Sequence, residues 1–389
     1  MLKVARTHTV NMKKAHTDRT RPGRSNGSEM DAAALSAAVI QWFRLHQRDL
    51  PFRHTTDPYA ILVSELMLQQ TQVATAVSYF ERFMDQFPTV QALAEANEQQ
   101  VLAMWAGLGY YRRARLLQSA ARKIAEDYSG VFPTALVDIQ ALPGVGRYTA
   151  GAVYSFAYDR PAPIVEANTA RLLARLFAIR GAIKSTANQA QLWKHAEQLL
   201  PAQNAREHNY GVMELGALVC KPVPLCDKCP LTRWCAAFQT GQSTTIPEIA
   251  AKPTKLRRHF VGIVACSGEH YLVRRIPEGE WHHGMFEFPS VRVEHGQTAA
   301  QHLNALESMT IGTCASLRDV DSFAEYRYTV TNHAVHLLVY KANALPAASW
   351  PESFQWKTLH EISRLPLGST QRKLLDLLQS QDDLLAVIR

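Results

Sequence analysis

Leu142-Pro143-Gly144-Val145-Gly146-Arg147-Tyr148-Thr149-Ala150 is the stretch on which the reading of this 389-residue chain turns. It separates two helical stretches. One opens at Phe132-Pro133-Thr134 and ends at Leu142-Pro143-Gly144, and the other runs from Arg147 to Tyr158. Helix, Gly-Val-Gly turn, helix reads as a helix–hairpin–helix. Gly144 and Gly146 permit a tight turn and let a phosphate approach the backbone, and the free N–H groups opening the second helix bind it without reading sequence. Gly144, Val145 and Gly146 are therefore candidate DNA-backbone contacts. Pro-Gly turns between helices are common, so the motif needs support from elsewhere.

Support comes from Cys220-x5-Cys226-x2-Cys229-x5-Cys235, four thiols within 16 residues broken by Pro222, Pro224 and Pro230. Such a loop wraps a metal centre, either tetrahedral zinc or a [4Fe–4S] cluster. Paired CxxC modules favour zinc, whereas one central CxxC with longer flanking spacers favours iron–sulfur. Upstream, Asp57-Pro58 is a helix start, and the apolar run from Tyr59 predicts a helix to about Phe83. Within it Glu65 is flanked by Leu62, Leu66 and Leu68. A carboxyl in apolar surroundings has its charged form disfavoured, which suits it to general-acid work.

From Met30 to about Ala237 the pattern is helical, with interruptions at Phe87-Pro88-Thr89 and Gly107-Leu108-Gly109. Around Pro247–Pro253 the composition changes. Lys252, Lys255, Arg257 and Arg258 appear with no acid between Glu248 and Glu269. Strand-like runs follow at His259–Cys266, Tyr271–Ile276, Arg327–Thr331 and His333–Tyr340, with helical stretches near Thr298–Met309 and Thr370–Leu378. The expected fold is thus multidomain, an all-α helix–hairpin–helix domain with a cysteine loop followed by an α/β domain.

The hairpin and the cysteine loop together resemble the endonuclease III superfamily of DNA glycosylases. Other segments are similar to its adenine-specific MutY branch: Leu50-Pro-Phe-Arg53, Asp57-Pro-Tyr59, Ser64-Glu-Leu-Met-Leu-Gln-Gln-Thr71, Tyr79-Phe-Glu-Arg-Phe83, Gly107-Leu-Gly-Tyr-Tyr111 and Leu215-Gly-Ala217. The resemblance runs from about Asp31 to Phe238. It continues more thinly through Gly279-Glu-Trp-x-x-Gly-Met-Phe-Glu-Phe-Pro289, which is similar to that branch's Nudix-like lesion-recognition domain. No Nudix hydrolase box is present. The resemblance implies a glycosylase domain over 31–245, with a six-helix barrel module at about 58–160 and a cluster module from 31–57 plus 161–245. A basic linker at 246–258 and a Nudix-like domain at 259–389 complete the chain. It implies a [4Fe–4S] cofactor on the four cysteines. The substrate would be double-stranded DNA carrying 8-oxoguanine:adenine or guanine:adenine mispairs, bound by a monomer.

By the same resemblance Glu65 protonates an adenine flipped out of the duplex, with Tyr148 and Asn168 holding the acid and a second carboxylate. Tyr148 occupies the position of the Schiff-base lysine of bifunctional relatives, which implies a monofunctional enzyme. Tyr110 would be the intercalating wedge, with Gln70 and Thr71 on the opposite base, while Tyr111 packs the core. The run Arg112, Arg113, Arg115, Arg122 and Lys123 reads as a phosphate track. There are departures. Val165-Glu166-Ala167-Asn168 stands where the branch has Asp-Gly-Asn, so Glu166 is one methylene longer and Ala167 replaces a glycine suited to positive φ or close DNA approach. The first cysteine spacer is one residue short. The branch's Phe-Ser-His recognition loop aligns with Thr331-Asn332-His333, leaving Asn332 and His333 as candidate contacts. Two other readings follow from these departures: a lesion-binding protein with weak or no excision, and a glycosylase of altered base choice.

Charge says less. The net charge is +8, but residues 1–30 hold seven cations against two anions. That segment has no apolar periodicity and reads as a disordered tail, an upstream extension before Met30 or a loose nucleic-acid-binding arm. A cytoplasmic, nucleoid-associated enzyme is expected, with organellar targeting by the tail left open. No apolar run approaches the roughly 18 to 20 residues of a membrane span, and six cysteines in a chain this long do not make a disulfide scaffold.

Overall fold

A computed structural model describes residues 31–248, 254–310, 314–346 and 351–388. The basic tail and Lys252 lie outside the described residues. The first part is helical: α1 (Ala32–His46), α2 (Pro58–Leu68), α3 (Val73–Gln86), α4 (Val90–Glu95), α5 (Glu98–Trp105), α6 (Arg112–Asp127), α7 (Leu136–Gln140), α8 (Arg147–Tyr158), α9 (Ala167–Leu176), α10 (Thr186–Gln198), α11 (Ala205–Glu214) and α12 (Ala236–Gln239). α2 starts as expected, with Pro58 in its first turn and Asp57 Oδ1 accepting the Tyr59 N–H at 2.9 Å. It is buried from Tyr59 to Met67 and apolar there except at Ser64 and Glu65, as suits a central helix. Its Leu62 and Met67 share one core cluster with Phe83, Trp105 and Phe156.

The sequence predicts one helix to Phe83, but α2 stops at Leu68. No glycine or proline marks the break. Instead the Arg113 guanidinium donates to the carbonyls of Leu66 (2.6 Å), Met67 (3.1 Å) and Gln69. Gln70 then turns the chain with φ +59°. A long-range donor takes over the helix-end carbonyls that sequence logic assigns to a local cap.

The hairpin forms as read. Val145 N–H bonds Leu142 O at 3.1 Å, and Gly146 is the N-cap of α8 with no side chain capping the first-turn N–H groups. Gly144 has φ +77°, and a Cβ there would stand 2.7 Å from Leu116 Cβ. Both facts require glycine.

The second part is a seven-stranded mixed sheet: β1 (Leu256–Ser267), β2 (His270–Arg275), β3 (Phe286–Glu287), β4 (Ser290–Val293), β5 (Cys314–Val330), β6 (His333–Pro346) and β7 (Phe354–Thr358). The order is β3-β2-β1-β6-β5, with β4 also on β1 and β7 also on β2. α13 (Ala299–Thr310) covers one face through Leu306, and α14 (Leu359–Ser363) and α15 (Ser369–Ile388) cover the other through Ile362, Leu374, Leu375 and Leu378. Two sequence expectations change here. Leu256–Arg258 are not linker but the first residues of β1, paired in parallel with β6 from Leu256↔His333. β5 begins well before Arg327, and its register shifts between Arg318 and Asp321 and between Ser322 and Ala324, which spoils the alternation a strand reading needs. β3, β4, β7 and α14 are too short to stand out in sequence.

The two parts are packed into one body. Ile276 and Met285, from the segment between β2 and β3, belong to the core cluster of the helical part. Arg115 donates to His283 O, Gln99 Nε2 donates to Gly284 O at 3.0 Å, and the Tyr111 ring meets His282 edge-on. Gly144→Ala is expected to cost roughly 1–2 kcal/mol for the left-handed backbone plus displacement of Leu116. Thermal unfolding and duplex affinity check this, and both should fall.

Candidate active site and nucleic-acid interface

Glu65 lies in the middle of α2, 4% exposed, between Leu62 and Leu66. Tyr148, in the first turn of α8, donates its phenol to Glu65 Oε2 at 2.8 Å. Burial raises the Glu65 pKa to about 7. The Tyr148 bond and the Arg53 charge pull it down, and the Glu166 charge pushes it up. Burial and the charges of Glu65 and Glu166 hold Tyr148 far above its usual range, so it remains a phenol and a donor. A carboxyl that titrates near neutrality inside an apolar wall is equipped to give and retake a proton.

Glu166 is the N-cap of α9. Oε1 accepts the Thr169 N–H at 2.8 Å, and Oε2 accepts the Asn168 N–H at 2.8 Å and its Nδ2 at 3.3 Å. The longer side chain is thus folded back onto the helix terminus, where its two oxygens cap the first-turn N–H groups. Ala167 does not need positive φ, because it is the first residue of α9; that part of the sequence expectation falls. Asn168 holds the second carboxylate, as expected, and does not touch the first.

Sequence reasoning missed a second buried carboxylate. Glu214 is 1% exposed and paired at 2.6 Å with both Arg48 and Arg53. Burial pushes its pKa up, but the hydrogen bonds and charges of Arg48 and Arg53 outweigh burial and leave it low. Arg53 also lies over the Phe43 and Tyr210 rings. The two acids therefore shift in opposite directions, Glu65 up to about 7 and Glu214 below the usual carboxylate range. The signal was available, since Glu214 follows the mostly apolar run Tyr210-Gly-Val-Met213 just as Glu65 follows Ile61-Leu-Val.

Cys220, Cys226, Cys229 and Cys235 are free thiols. Burial first, then the neighbouring Cys220, Cys235 and Cys226, push the Cys229 thiol up to about 11. Burial likewise raises the Cys235 thiol, and a metal centre supplies the positive charge that favours thiolates. Among the described residues no three His, Cys, Asp or Glu are gathered tightly enough to hold a single ion. Four thiol donors fit a [4Fe–4S] cluster, which takes one thiolate at each of four corners. The loop is tied to the start of α9. Arg171 donates to Cys220 O (2.7 Å), Gly216 O (2.7 Å) and Asn168 Oδ1 (2.9 Å), and Arg175 donates to the carbonyls of Lys221, Pro222 and Ile246. At Gly216 a Cβ would stand 2.8 Å from Asn168 O. The stretch leading into the cysteine loop and the N-terminus of α9 thus touch through bare backbone.

The residues expected to meet DNA fall into two groups. Gly144, Gly146, Gln70, Thr71 and Tyr110 belong to the helical part. Tyr110 is 43% exposed with φ +52°, while Tyr111 is 4% exposed and packs the core. The Val145 side chain is buried in the core, so its part in a phosphate contact is limited to the backbone. Asn332 and His333 belong to the other part, at the turn between β5 and β6, where Thr331 has φ +53° and Asn332 O accepts the Leu256 N–H.

The phosphate-track reading of Arg112–Lys123 is corrected. Arg113 is 8% exposed and serves as an internal clamp. Besides the α2 carbonyls it donates to Gly109 O at 3.1 Å and Thr71 Oγ1 at 3.3 Å, and it lies over the Tyr110 ring. Arg115 pairs with Glu98, Arg122 bonds Ala94 O, and Lys123 pairs with Asp127. Arg113, Arg115 and Arg122 thus use their donors inside the fold, and Lys123 makes an exposed pair within α6. Arg113→Met should destabilise by roughly 2–4 kcal/mol, because several buried carbonyls lose their donor. Exposed Arg112→Ala should stay within about 0.5 kcal/mol of the parent. Denaturant unfolding of both variants checks this.

The HhH-GPD superfamily base excision DNA repair protein profile matches residues 63–198, and the NUDIX domain profile matches residues 260–377. The adenine DNA glycosylase of Mus musculus is 31% identical over 401 residues, covering 88% of this chain and 78% of its own. That of Buchnera aphidicola subsp. Schizaphis graminum is 31% identical over 312 residues, covering 80% and 88%. Among solved structures, a thermostable thymine-DNA glycosylase aligns with TM-score 0.50 at 30% identity, covering 54% of this chain and 97% of that one.

Proposed function

The chain belongs to the adenine DNA glycosylase family, and on that premise we propose that Glu65 is its general acid and Glu166 its electrostatic partner in removing adenine opposite 8-oxoguanine or guanine. As a member it is a base excision repair glycosylase acting on DNA. The observation that carries the finer reading is the Glu65–Tyr148 pair, a carboxyl titrating to about 7 held by a phenol at the start of the hairpin helix.

In this reading the adenine leaves the stack and enters the site. Glu65 gives its proton to N7 of the base. The C1′–N9 bond breaks with its electron pair going to the now neutral leaving group. The oxocarbenium-like sugar is stabilised by the Glu166 carboxylate, whose orientation is set by the two backbone N–H groups and Asn168. Water adds at C1′ and loses a proton, leaving an abasic site. The Tyr148 phenol forms no imine, which supports a monofunctional enzyme. Gly144 and Gly146 would hold a phosphate, Tyr110 would fill the gap in the stack, Gln70 and Thr71 would face the opposite base, and Asn332 and His333 would read it. The endonuclease III and MutY family carries a [4Fe–4S] cluster, and Cys220, Cys226, Cys229 and Cys235 would hold one here. Its proposed role is to fix the loop that Arg171 joins to Asn168.

Single-turnover release on duplexes pairing adenine with 8-oxoguanine, guanine or thymine tests the function. Faster release opposite the first two is expected. Binding without release would favour the lesion-binding reading, and release of another base would favour altered specificity. The rate should fall as pH rises through about 7, as Glu65 loses its proton. In Tyr148→Phe the phenol no longer steadies the anion, so Glu65 titrates higher and the alkaline limb moves to higher pH. An unmoved limb rules out this role for Tyr148. Glu166→Gln keeps a capping oxygen and removes the charge, so release should drop about 10²-fold with little change in melting temperature. Purified protein should show broad visible absorbance that Cys229→Ser diminishes.

A further inference from the structure

Beside His333 stands an aromatic residue that the proposed chemistry leaves unused. Trp281 is 40% exposed, an unusual state for so large an apolar ring. Its ring centroid is 5.0 Å from that of His333 and 6.0 Å from that of Phe260. Its backbone is held on both sides. Glu280 pairs with Arg274 at 2.8 Å, Gly284 N–H bonds Ile276 O at 2.8 Å, and Met285 N–H bonds His282 O at 3.0 Å. Arg115 and Gln99 fasten the carbonyls of His283 and Gly284 to the helical part. An exposed ring on a braced loop is preorganised for contact, because little further ordering is needed to use it.

Its position is also specific. The loop lies where the helical part meets the sheet, and the ring leans on the hairpin residue proposed to read the opposite base. On the sheet, Phe260 shares a face with Val264, whereas His259 lies on the alternate face with Val261 and Ile263. The hairpin therefore has an aromatic flank at Trp281 and, near its tip on the alternate face, Arg257 and His259, with His259 meeting the His295 and His336 rings edge-on and Glu294 close by. Cations suit the phosphodiester backbone, and an aromatic face suits a nucleobase.

We propose that Trp281 is a specificity-determining residue that stacks on the purine opposite the excised adenine, while His333 and Asn332 meet its edge. This rests on the reading of Asn332 and His333 above. Full-length protein in a Glu65→Gln background, which removes the chemistry, is titrated with a duplex carrying adenine opposite 8-oxoguanine and with one whose opposite nucleotide is a base-less tetrahydrofuran. Trp281→Ala should weaken binding to the first about ten- to a hundredfold and to the second hardly at all, with an unchanged melting temperature. Trp281→Phe, which keeps a ring, should recover most of the loss. Equal binding by Trp281→Ala and the parent overturns the proposal. So does a loss that persists when the opposite base is missing, or a phenylalanine variant no better than alanine. Failure of the parent chain to release adenine would sink the functional reading and leave this binding comparison interpretable.

Discussion

One carboxyl group inside a helix buried on all sides sets the terms for the rest of the molecule. Taking Glu65 out of water disfavours its charge, and the neighbours decide how far. If Arg53 were free, its charge would draw Glu65 toward a permanent anion. The structure prevents this by engaging Arg53 with Glu214, which Arg48 also neutralises. Glu214 is thus part of the acid's environment without touching it. Tyr148 then supplies a single hydrogen bond, enough to orient the group without stripping its proton.

The same economy of contacts appears around Glu166. Its negative charge raises the Glu65 pKa through space, and its own oxygens are occupied by the start of α9. Helix capping and the handling of positive charge on a sugar ask for the same thing, an anion held still. A glutamate meets both demands here, its two oxygens accepting the second and third N–H groups of the helix.

Much of this was legible in sequence. The hairpin glycines, the start of α2, α8 from Arg147 to Tyr158 and the acid in an apolar run all rest on local rules, and all were recovered. The end of α2 was not, because its cap comes from Arg113, more than 40 residues away in the chain. For the same reason a string of arginines looked like a surface for phosphates. Sequence records the charge of Arg113 and Arg115 but not the carbonyls and carboxylate that face them. The start of β1 was missed because Arg257 and Arg258 continue the basic run from Lys255, and only pairing with β6 makes them strand. Glu214 shows a different failure, a readable signal left unread.

Ile276 and Met285 carry a consequence for how the protein is divided. They are encoded in the sheet part and spent in the core of the helical part. A cut through the linker would separate two segments of sequence without separating two units of energy. The helical half alone would keep a socket where the methionine side chain belongs, and an empty site of that size costs about 2–5 kcal/mol. The boundary drawn by composition near residue 250 is therefore not where cooperativity ends. The two halves are expected to melt together, and a sheet domain that looks appended in sequence is, by packing, a structural member of the glycosylase it follows.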